Sequence, residues 1–262
     1  MMIKDTPQGA LIYLTMAAFV LAAIAFKSRR QRLGDTIFFI GFLIASLSLA
    51  YRGWLSAHTP LQNLFEIFLA MAALLWPLSR LSRQRANVDT RFWDVVLGLL
   101  ILFPAGFVFS EELRRLPPAL QSPLFIPHVA SYIAGYLLMA RAALVCFPCF
   151  SPTLPSSEKR SREWAAFQMA MVGFFLITTG LILGAIWGKL AWGHYWQWDP
   201  KEMWSLASWM VYAGYFHYRA AWGTRNSRVL ALWLWIGLLF ILLTLTWINV
   251  SRLFQGMHNY AT

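Results

Sequence analysis

Eight apolar stretches dominate the sequence and leave little room for a soluble domain. They lie at about 9–26, 36–54, 62–78, 92–110, 127–147, 165–187, 203–218 and 229–250. A membrane-spanning helix needs about 20 mostly apolar residues. Only 13% of this chain is charged, whereas soluble domains carry roughly a quarter charged residues. The sequence therefore predicts an all-α, polytopic membrane protein with about eight transmembrane helices, the first of them a true span rather than a cleaved signal peptide.

The basic residues are distributed unevenly between the two predicted sides of the membrane. Of the 22 lysines and arginines, fourteen fall on the connections 27–35, 79–91, 148–164 and 219–228, and seven fall on the opposite side. Cytoplasmic loops are enriched in lysine and arginine, so both termini are predicted to be extracytoplasmic. The net charge of +11 then reflects membrane topology, and no basic run resembles a nucleic-acid-binding arm.

The two cysteines form a CxxC pair, Cys146 and Cys149, at the predicted cytoplasmic end of the fifth span. Such a pair can be a redox couple or half of a metal site. The cytoplasm is reducing, and the chain has no second cysteine pair to complete a zinc site. Ordinary packing is therefore the favoured interpretation, with a redox or metal role left as the alternative.

The first segment with unusual chemistry on the predicted outer side is “YRGWLSAHTPLQNLFE”, residues 51–66. Thr59 and Pro60 are predicted to cap the next helix, and His58 is a loop residue whose role stays open. Glu66 lies inside the start of a span, where a carboxylate is a functional candidate. Its predicted partner is Arg52, and the sequence leaves open whether Glu66 forms a structural ion pair or acts directly.

The second segment, “AWGHYWQWDPKEMW”, crowds aromatic residues between the sixth and seventh spans. Asp199, Pro200 and Glu202 have the pattern of a helix start, with Asp199 as the N-cap. Flat rings beside the Lys201 ammonium form a suitable surface for a planar apolar ligand with acidic edges, and a helix N-terminus favours an anion. We call residues 188–204 the tryptophan-rich segment. Its candidate binding residues are Trp192, Gly193, Tyr195, Trp196, Trp198, Asp199, Pro200, Lys201, Glu202 and Trp204.

Three histidines complete the candidate site. His128 lies in the first turn of the fifth span and His258 lies in the C-terminal segment, both on the predicted outer side. Taken singly, His128 and His217 could each be an interfacial polar residue and His258 part of a solvated tail. His217 lies fifteen residues beyond Glu202, about 22 Å along a helix, so it cannot share a metal with the outer pair. Imidazole is an axial ligand of haem iron, and haem is planar, apolar and edged by two carboxylates. The arrangement suggests a path for haem with an inner station and an outer station.

The string “WGHYWQWDPKEMWSL” closely resembles the tryptophan-rich WWD signature of haem-handling proteins. Its form “WDPKE” is similar to that of the CcsA (ResC) family, the multispan subunit of the System II cytochrome c synthase. The resemblance extends over most of the chain. Further strings similar to family motifs, in the family's order, are “HTPLQNLFE”, “LPPALQSPLFIPHV”, “YFHYR” and “INVSRLFQGMHNY”.

The resemblance implies a single transmembrane haem-handling domain over residues 1–262 of a bacterial cytoplasmic membrane protein with a periplasmic active face. It implies that His128 and His258 are the outer haem-iron ligands and that His217 is the inner one, completed by a histidine of a ResB/CcsB-type partner. The implied activity is that of a cytochrome c haem-lyase. Haem b is carried outward, and the thiols of an apocytochrome c CxxCH motif add to its vinyl groups, with no residue acting as general acid or base.

His194 departs from the family pattern and is interpreted as a bystander in the tryptophan-rich segment. The main alternative function is a haem exporter that hands haem to a chaperone, as CcmC proteins do. An inert membrane scaffold would lack the histidines, and an ordinary transporter would not need the tryptophan cluster. Eight predicted spans and the two flanking histidines favour the synthase.

Overall fold

The computed structural model describes residues 3–85 and 88–247, and its regular structure is helical. The long helices are α1 (Pro7–Lys27), α2 (Gln31–Ser56), α3 (Leu64–Arg85), α4 (Arg91–Phe107), α5 (Phe125–Cys146), α6 (Ser156–Trp192), α7 (Pro200–Trp222) and α8 (Ser227–Leu242). Short helical turns lie at Pro118–Leu120, Phe147–Phe150 and Leu243–Trp247. No strand occurs within the described ranges, and the predicted all-α class is confirmed.

Six of the helices in the described ranges, α1, α2, α3, α5, α6 and α8, are long and apolar enough to cross a membrane. The predicted fourth and seventh spans coincide with α4 and α7. Helix α4 has 17 residues, and α7 is rich in tryptophan, tyrosine and serine. The polytopic membrane architecture is confirmed, whereas the count of eight spans and the extracytoplasmic termini stay predictions.

The helices group into two compact units, of which the first contains α1 to α4. Helix α1 packs against both α2 and α4. The rings of Phe19 and Phe38 meet edge to face, with centroids 5.5 Å apart, and both side chains are buried. A helix that is apolar on every side, as α1 is, can occupy this central position and still meet lipid elsewhere.

A buried ion pair ties α2 to α3 within the first unit. The Arg52 Nε lies 2.9 Å from Glu66 Oε1, and the two side chains are only 2% and 1% exposed. The other Arg52 nitrogens donate to the carbonyl oxygens of Glu111 and Glu112, at 2.6 and 2.9 Å. This ion pair was one of the two roles that the sequence left open for Glu66.

The predicted helix cap at Thr59 is wrong, because α3 begins only at Leu64. Asn63 Oδ1 accepts a hydrogen bond from Glu66 N at 3.0 Å, and Glu66 Oε2 accepts one from Gln62 N at 2.8 Å. The start of α3 is therefore set by the carboxylate that also pairs with Arg52. A tertiary contact overrides the local capping signal of Thr59 and Pro60.

The second unit contains α5 to α8. Helices α5 and α6 pack closely along their lengths, and α8 packs against α5 and α7. Ala142 and Ala166 are fully buried, and small residues of this kind let membrane helices approach closely. Cys146 and Cys149 are free thiols that are fully buried in the same core, which favours the packing interpretation.

Candidate functional site

The tryptophan-rich segment joins the last turn of α6 to the first turn of α7. Helix α6 ends at Trp192, and Gly193 follows in the left-handed conformation with φ +84°. Gly193 N donates to the Lys189 carbonyl oxygen at 3.1 Å, and Lys189 Nζ donates to the Gly193 carbonyl oxygen at 2.8 Å. Glycine suits this position because it adopts positive φ without a steric penalty. Residues 193–199 then form an irregular segment between α6 and α7.

A capping box starts α7, as the sequence predicts. The Asp199 carboxylate accepts from Lys201 N at 2.9 Å. Glu202 Oε2 accepts from Gln197 N at 2.8 Å and from Asp199 N at 3.1 Å. Both carboxylates are thus engaged with backbone N–H groups. They fix the shape of the segment, and Pro200 occupies the first helical position.

Two aromatic side chains of the segment are exposed on the protein surface. Tyr195 is 60% exposed and Trp198 is 67% exposed. Trp198 also has φ +58°, a conformation that costs a non-glycine residue free energy and that clusters at functional sites. Its ring meets that of Trp196 edge to face, with centroids 5.9 Å apart. Trp204 instead packs toward α8, 5.5 Å from the Phe240 ring.

His128 is held in a defined orientation at the start of α5. Its Nδ1 lies 2.8 Å from the Gly180 carbonyl oxygen of α6. A carbonyl oxygen can only accept a hydrogen bond, so Nδ1 carries a proton and, in the neutral ring, the lone pair resides on Nε2. A hydrogen bond of this kind also orients metal-ligating histidines. His128 therefore has the tautomer that an Nε2 ligand to iron requires.

An aromatic stack links His128 to the tryptophan-rich segment. The imidazole stacks on the Trp187 ring with centroids 5.8 Å apart and planes at 29°. Trp187 is 2% exposed and meets Trp192 edge to face at 4.7 Å. These distances fall within the range of favourable ring pairs. His128 and the segment thus belong to one packed cluster, which we call the His128 cluster (His128, Trp187 and Trp192).

The His128 ring fits against α6 because residue 184 has no side chain. A Cβ atom at Gly184 would lie 2.5 Å from His128 Cε1 and 2.8 Å from Nδ1. These distances are far below van der Waals contact. The ring could not accommodate such an atom while it keeps its hydrogen bond to Gly180 and its stack on Trp187.

We expect the Gly184→Ala substitution to weaken haem binding by about 10- to 100-fold, since disturbing the groups that orient a metal ligand typically costs this much. The measurement is a haem titration of the purified chain, followed by its visible spectrum. Gly106→Ala is a matched control, because its Cβ would meet its neighbours at 3.4 Å or more. Unchanged haem affinity in Gly184→Ala would contradict the positioning role.

His217 lies near the end of α7, and its side chain is exposed. Its Nδ1 lies 2.8 Å from the Ala213 carbonyl oxygen one turn earlier, which leaves the lone pair on Nε2 by the same argument as for His128. No group of three potential metal-ligating side chains occurs within the described residues. His217 is therefore a single exposed imidazole at the surface of the second unit, and its predicted role as a ligand stays a prediction.

Lys201 lies in the first turn of α7, before the predicted seventh span. Burial of its ammonium lowers the pKa to about 8, and the Asp199 carboxylate partly opposes this shift. The protonated form, which pairs with a carboxylate, therefore predominates at neutral pH and is lost as the pH rises through 8. A bound carboxylate would move this loss to somewhat higher pH.

If Lys201 pairs with a haem carboxylate, we expect haem affinity to fall about tenfold as the pH rises from 7 to 10. A tenfold loss of affinity corresponds to the free energy of about one charge-assisted hydrogen bond. Lys201→Met should bind haem more weakly at pH 7 and lose this pH dependence, whereas Lys189→Met should keep it. Titrations at several pH values measure both effects. A wild-type pH profile in Lys201→Met would exclude the pairing.

The predictions for the other three histidines, His58, His194 and His258, stand differently against the structure. His58 has ring nitrogens 2.9 Å from the Thr59 carbonyl oxygen and 3.3 Å from that of Arg114, contacts that hold a loop in the first unit. His194 is exposed, and its interpretation as a bystander stays a prediction. His258 lies outside the described residues, so its predicted role as a ligand also stays a prediction.

The sequence did not identify three residues of this site: Gly180, Gly184 and Trp187. They lie inside the sixth predicted span, where glycine and tryptophan are common. Their functional relevance depends on α5 packing against α6. The signal that could have found them is the spacing of Gly180, Gly184 and Gly188, which places small residues on one face of α6.

Comparisons with known proteins show the family to which this chain belongs. A family described as “Cytochrome C assembly protein” matches residues 8–258. A “Cytochrome c biogenesis protein CcsA” from Synechococcus sp. (strain CC9902) is 30% identical over a 302-residue alignment that covers 98% of this chain and 98% of that protein. A CcsA protein from Mesostigma viride is 28% identical over 289 residues, with 96% of this chain and 93% of that protein covered.

A solved structure is also similar to this chain. It is described as “Cytochrome c Heme Lyase CcmF”, and it matches with a TM-score of 0.66 and 15% sequence identity. The match covers 96% of this chain and 52% of that one. At this identity the likeness concerns the fold alone.

Proposed function

The chain belongs to the CcsA family of cytochrome c assembly proteins, and we propose that within cytochrome c biogenesis it moves haem b outward and attaches it to apocytochrome c. It is a multi-pass membrane protein. Its place in the bacterial cytoplasmic membrane, with the tryptophan-rich segment on the periplasmic side, is part of the proposal. The asymmetry of lysines and arginines along the sequence supports this orientation.

The observation that carries the proposal is the His128 cluster. A histidine with its Nδ1 proton engaged by the Gly180 carbonyl oxygen stacks on Trp187. Trp187 contacts Trp192 at the start of the segment that bears the WWD signature. An imidazole ligand and an aromatic surface are the two groups that an iron porphyrin needs for axial ligation and for contact with its ring.

In the proposed outer site, His128 and His258 would be the two protein ligands of the haem iron, and the exposed rings of Tyr195 and Trp198 would supply the aromatic surface for the porphyrin. Lys201 and the N-terminus of α7 favour the haem carboxylates. Asp199 and Glu202 hold the segment in shape through their hydrogen bonds to backbone N–H groups. The role of this chain is then positioning, which brings the thiols and vinyl groups into reacting geometry.

The attachment chemistry is an addition. Each thiol of the apocytochrome CxxCH motif forms a carbon–sulfur bond to one carbon of a haem vinyl group, and its proton is added to the other carbon. No group leaves, and the addition consumes no external oxidant or reductant. The histidine of CxxCH then replaces one of the two protein ligands, and the product leaves the site when the second protein ligand also dissociates.

In the proposed inner site, His217 supplies one ligand and a ResB/CcsB-type partner supplies the second. The exposure of His217 on α7 supports this division, because a surface imidazole is accessible to another subunit within the membrane. A single histidine with no further ligand set among the described residues also suits a shared site.

The test is covalent attachment in cells that lack other haem-attachment systems. The chain is expressed with its ResB/CcsB-type partner and a CxxCH reporter, and haem on the denatured reporter is detected by its peroxidase activity. We expect haem that survives denaturation, and none on a reporter with both cysteines replaced. Haem that copurifies with the chain while the reporter stays unmodified would instead indicate a CcmC-like exporter.

A further inference from the structure

A basic pocket lies at the opposite end of the second unit from the tryptophan-rich segment. It has a volume of about 880 Å³ and is formed by the start of α6, the end of α7 and the α7–α8 connection. Four of its lining residues are cationic: Lys159, Arg160, Arg225 and Arg228. We call it the α6–α8 basic pocket. The proposed haem sites use none of these residues.

The four cations have no carboxylate partner among the residues that the structure describes. Within residues 3–85 and 88–247, none of them takes part in an ion pair, whereas neighbouring Arg162 pairs with Glu158 at 2.7 Å. The residues that line the pocket include no aspartate or glutamate. Four like charges that converge on one cavity repel each other, so the pocket favours an anionic ligand.

Two helix N-termini reinforce this charge. The N-cap position of α6 is Pro155, and no side chain caps the first turn of this helix. Helix α8 starts at the same pocket, where Asn226 caps it through Arg228 N and Val229 N. N–H groups in the first turn of a helix bind phosphate groups well. Because Asn226 occupies two of the donors of α8, that helix contributes mainly through its dipole, and the uncapped first turn of α6, beside Lys159 and Arg160, offers the N–H groups.

The position of the pocket relative to the hydrocarbon core of the membrane identifies the class of ligand. The apolar span of α8 begins at Ser227. Ser227 lines the pocket, and so does the α7–α8 connection that precedes it. Helix α6 has 37 residues, about 55 Å, so its polar first turns extend beyond a hydrocarbon core of about 30 Å. The pocket therefore lies at the boundary between the apolar spans and water, where lipid phosphates reside.

We propose that the α6–α8 basic pocket binds the phosphate of an anionic phospholipid headgroup. Trp222, which lines the pocket and is 56% exposed, is suited to the lipid–water interface. The charge asymmetry of the sequence predicts that this end faces the cytoplasm, and basic pockets between membrane helices bind acidic headgroups on that side. None of the lining residues is a histidine, cysteine or methionine, so the pocket does not suit haem iron.

The experiment supplies the purified full-length chain with phosphatidylglycerol or phosphatidylcholine. Native mass spectrometry then counts the lipid molecules that stay bound. We expect wild type to retain phosphatidylglycerol in preference to phosphatidylcholine. The Arg225→Gln/Arg228→Gln variant should lose roughly thirtyfold in phosphatidylglycerol affinity, from two cations near the phosphate. Lys27→Gln/Arg32→Gln removes two exposed cations elsewhere on the same predicted side and should bind as wild type does.

A second variant, Lys159→Gln/Arg160→Gln, removes the other two cations from α6 and should show the same loss. Equal phosphatidylglycerol retention in wild type and in both pocket variants would overturn the proposal. A second arm titrates inorganic phosphate into protein held in phosphatidylcholine nanodiscs. Tight phosphate binding that the pocket variants lose, without a preference for phosphatidylglycerol, would assign the pocket to a soluble phosphate and overturn the lipid assignment.

Discussion

Replacing His128 by alanine is expected to lower covalent haem attachment to the CxxCH reporter by at least about 100-fold. Loss of groups that only orient a metal ligand already lowers metal affinity or activity by about 10- to 100-fold. This substitution removes the proposed ligand itself. The Gly180 carbonyl oxygen and the Trp187 ring would also lose the imidazole that they hold. The measurement is haem on the denatured reporter, normalised to the amount of chain in the membrane.

The matched control for this prediction is His194→Ala, which removes an exposed histidine from within the tryptophan-rich segment. We expect it to change attachment less than twofold, because no role in ligation is assigned to it. Added imidazole should restore part of the activity of His128→Gly, since a free ligand can occupy the vacated space. Wild-type attachment by His128→Ala would exclude this residue as a ligand.

The second large effect is expected for Glu66→Gln in the first unit. Arg52 is 2% exposed and would remain buried without its carboxylate. Breaking a buried pair on one side costs about 3–5 kcal/mol, which lowers the midpoint of thermal unfolding by about 10 °C in a chain of this size. The measurement is the unfolding midpoint of the detergent-purified protein at constant detergent and pH.

Two companion variants test the explanation for Glu66. Asp35→Asn removes a partly exposed carboxylate that pairs with Arg83 and Arg91 and should shift the midpoint by only about 2 °C, because exposed ion pairs contribute little. Arg52→Met/Glu66→Met replaces the whole pair by apolar side chains and should recover much of the lost stability. If Glu66→Gln keeps wild-type stability but loses haem attachment per folded molecule, the direct role that the sequence left open would be correct instead.

Local signals in the sequence predicted some features of the site correctly. The capping box of Asp199 and Glu202 formed as expected, because it depends on residues within one turn of each other. At Thr59 the same kind of signal failed. The Glu66 carboxylate is drawn into a buried pair with Arg52, fourteen residues earlier, and the helix starts where that contact allows.

The parts of the site that depend on helix packing could not be predicted in this way. His128 was recognised as a candidate ligand, but its tautomer follows from the carbonyl oxygen of Gly180, fifty-two residues later. The close fit at Gly184 exists only because α5 packs along α6. A single sequence gives the apolar character of both helices but not which faces meet.

The central claim is that His128 ligates haem iron beside the tryptophan-rich segment. Its most direct test is the visible absorption spectrum of haem bound to the full chain with its partner, in a His217→Ala background that removes the proposed inner ligand. The account predicts a six-coordinate, low-spin spectrum that becomes high-spin, or disappears, when His128→Ala is added. A low-spin spectrum of unchanged intensity in the double variant would contradict it.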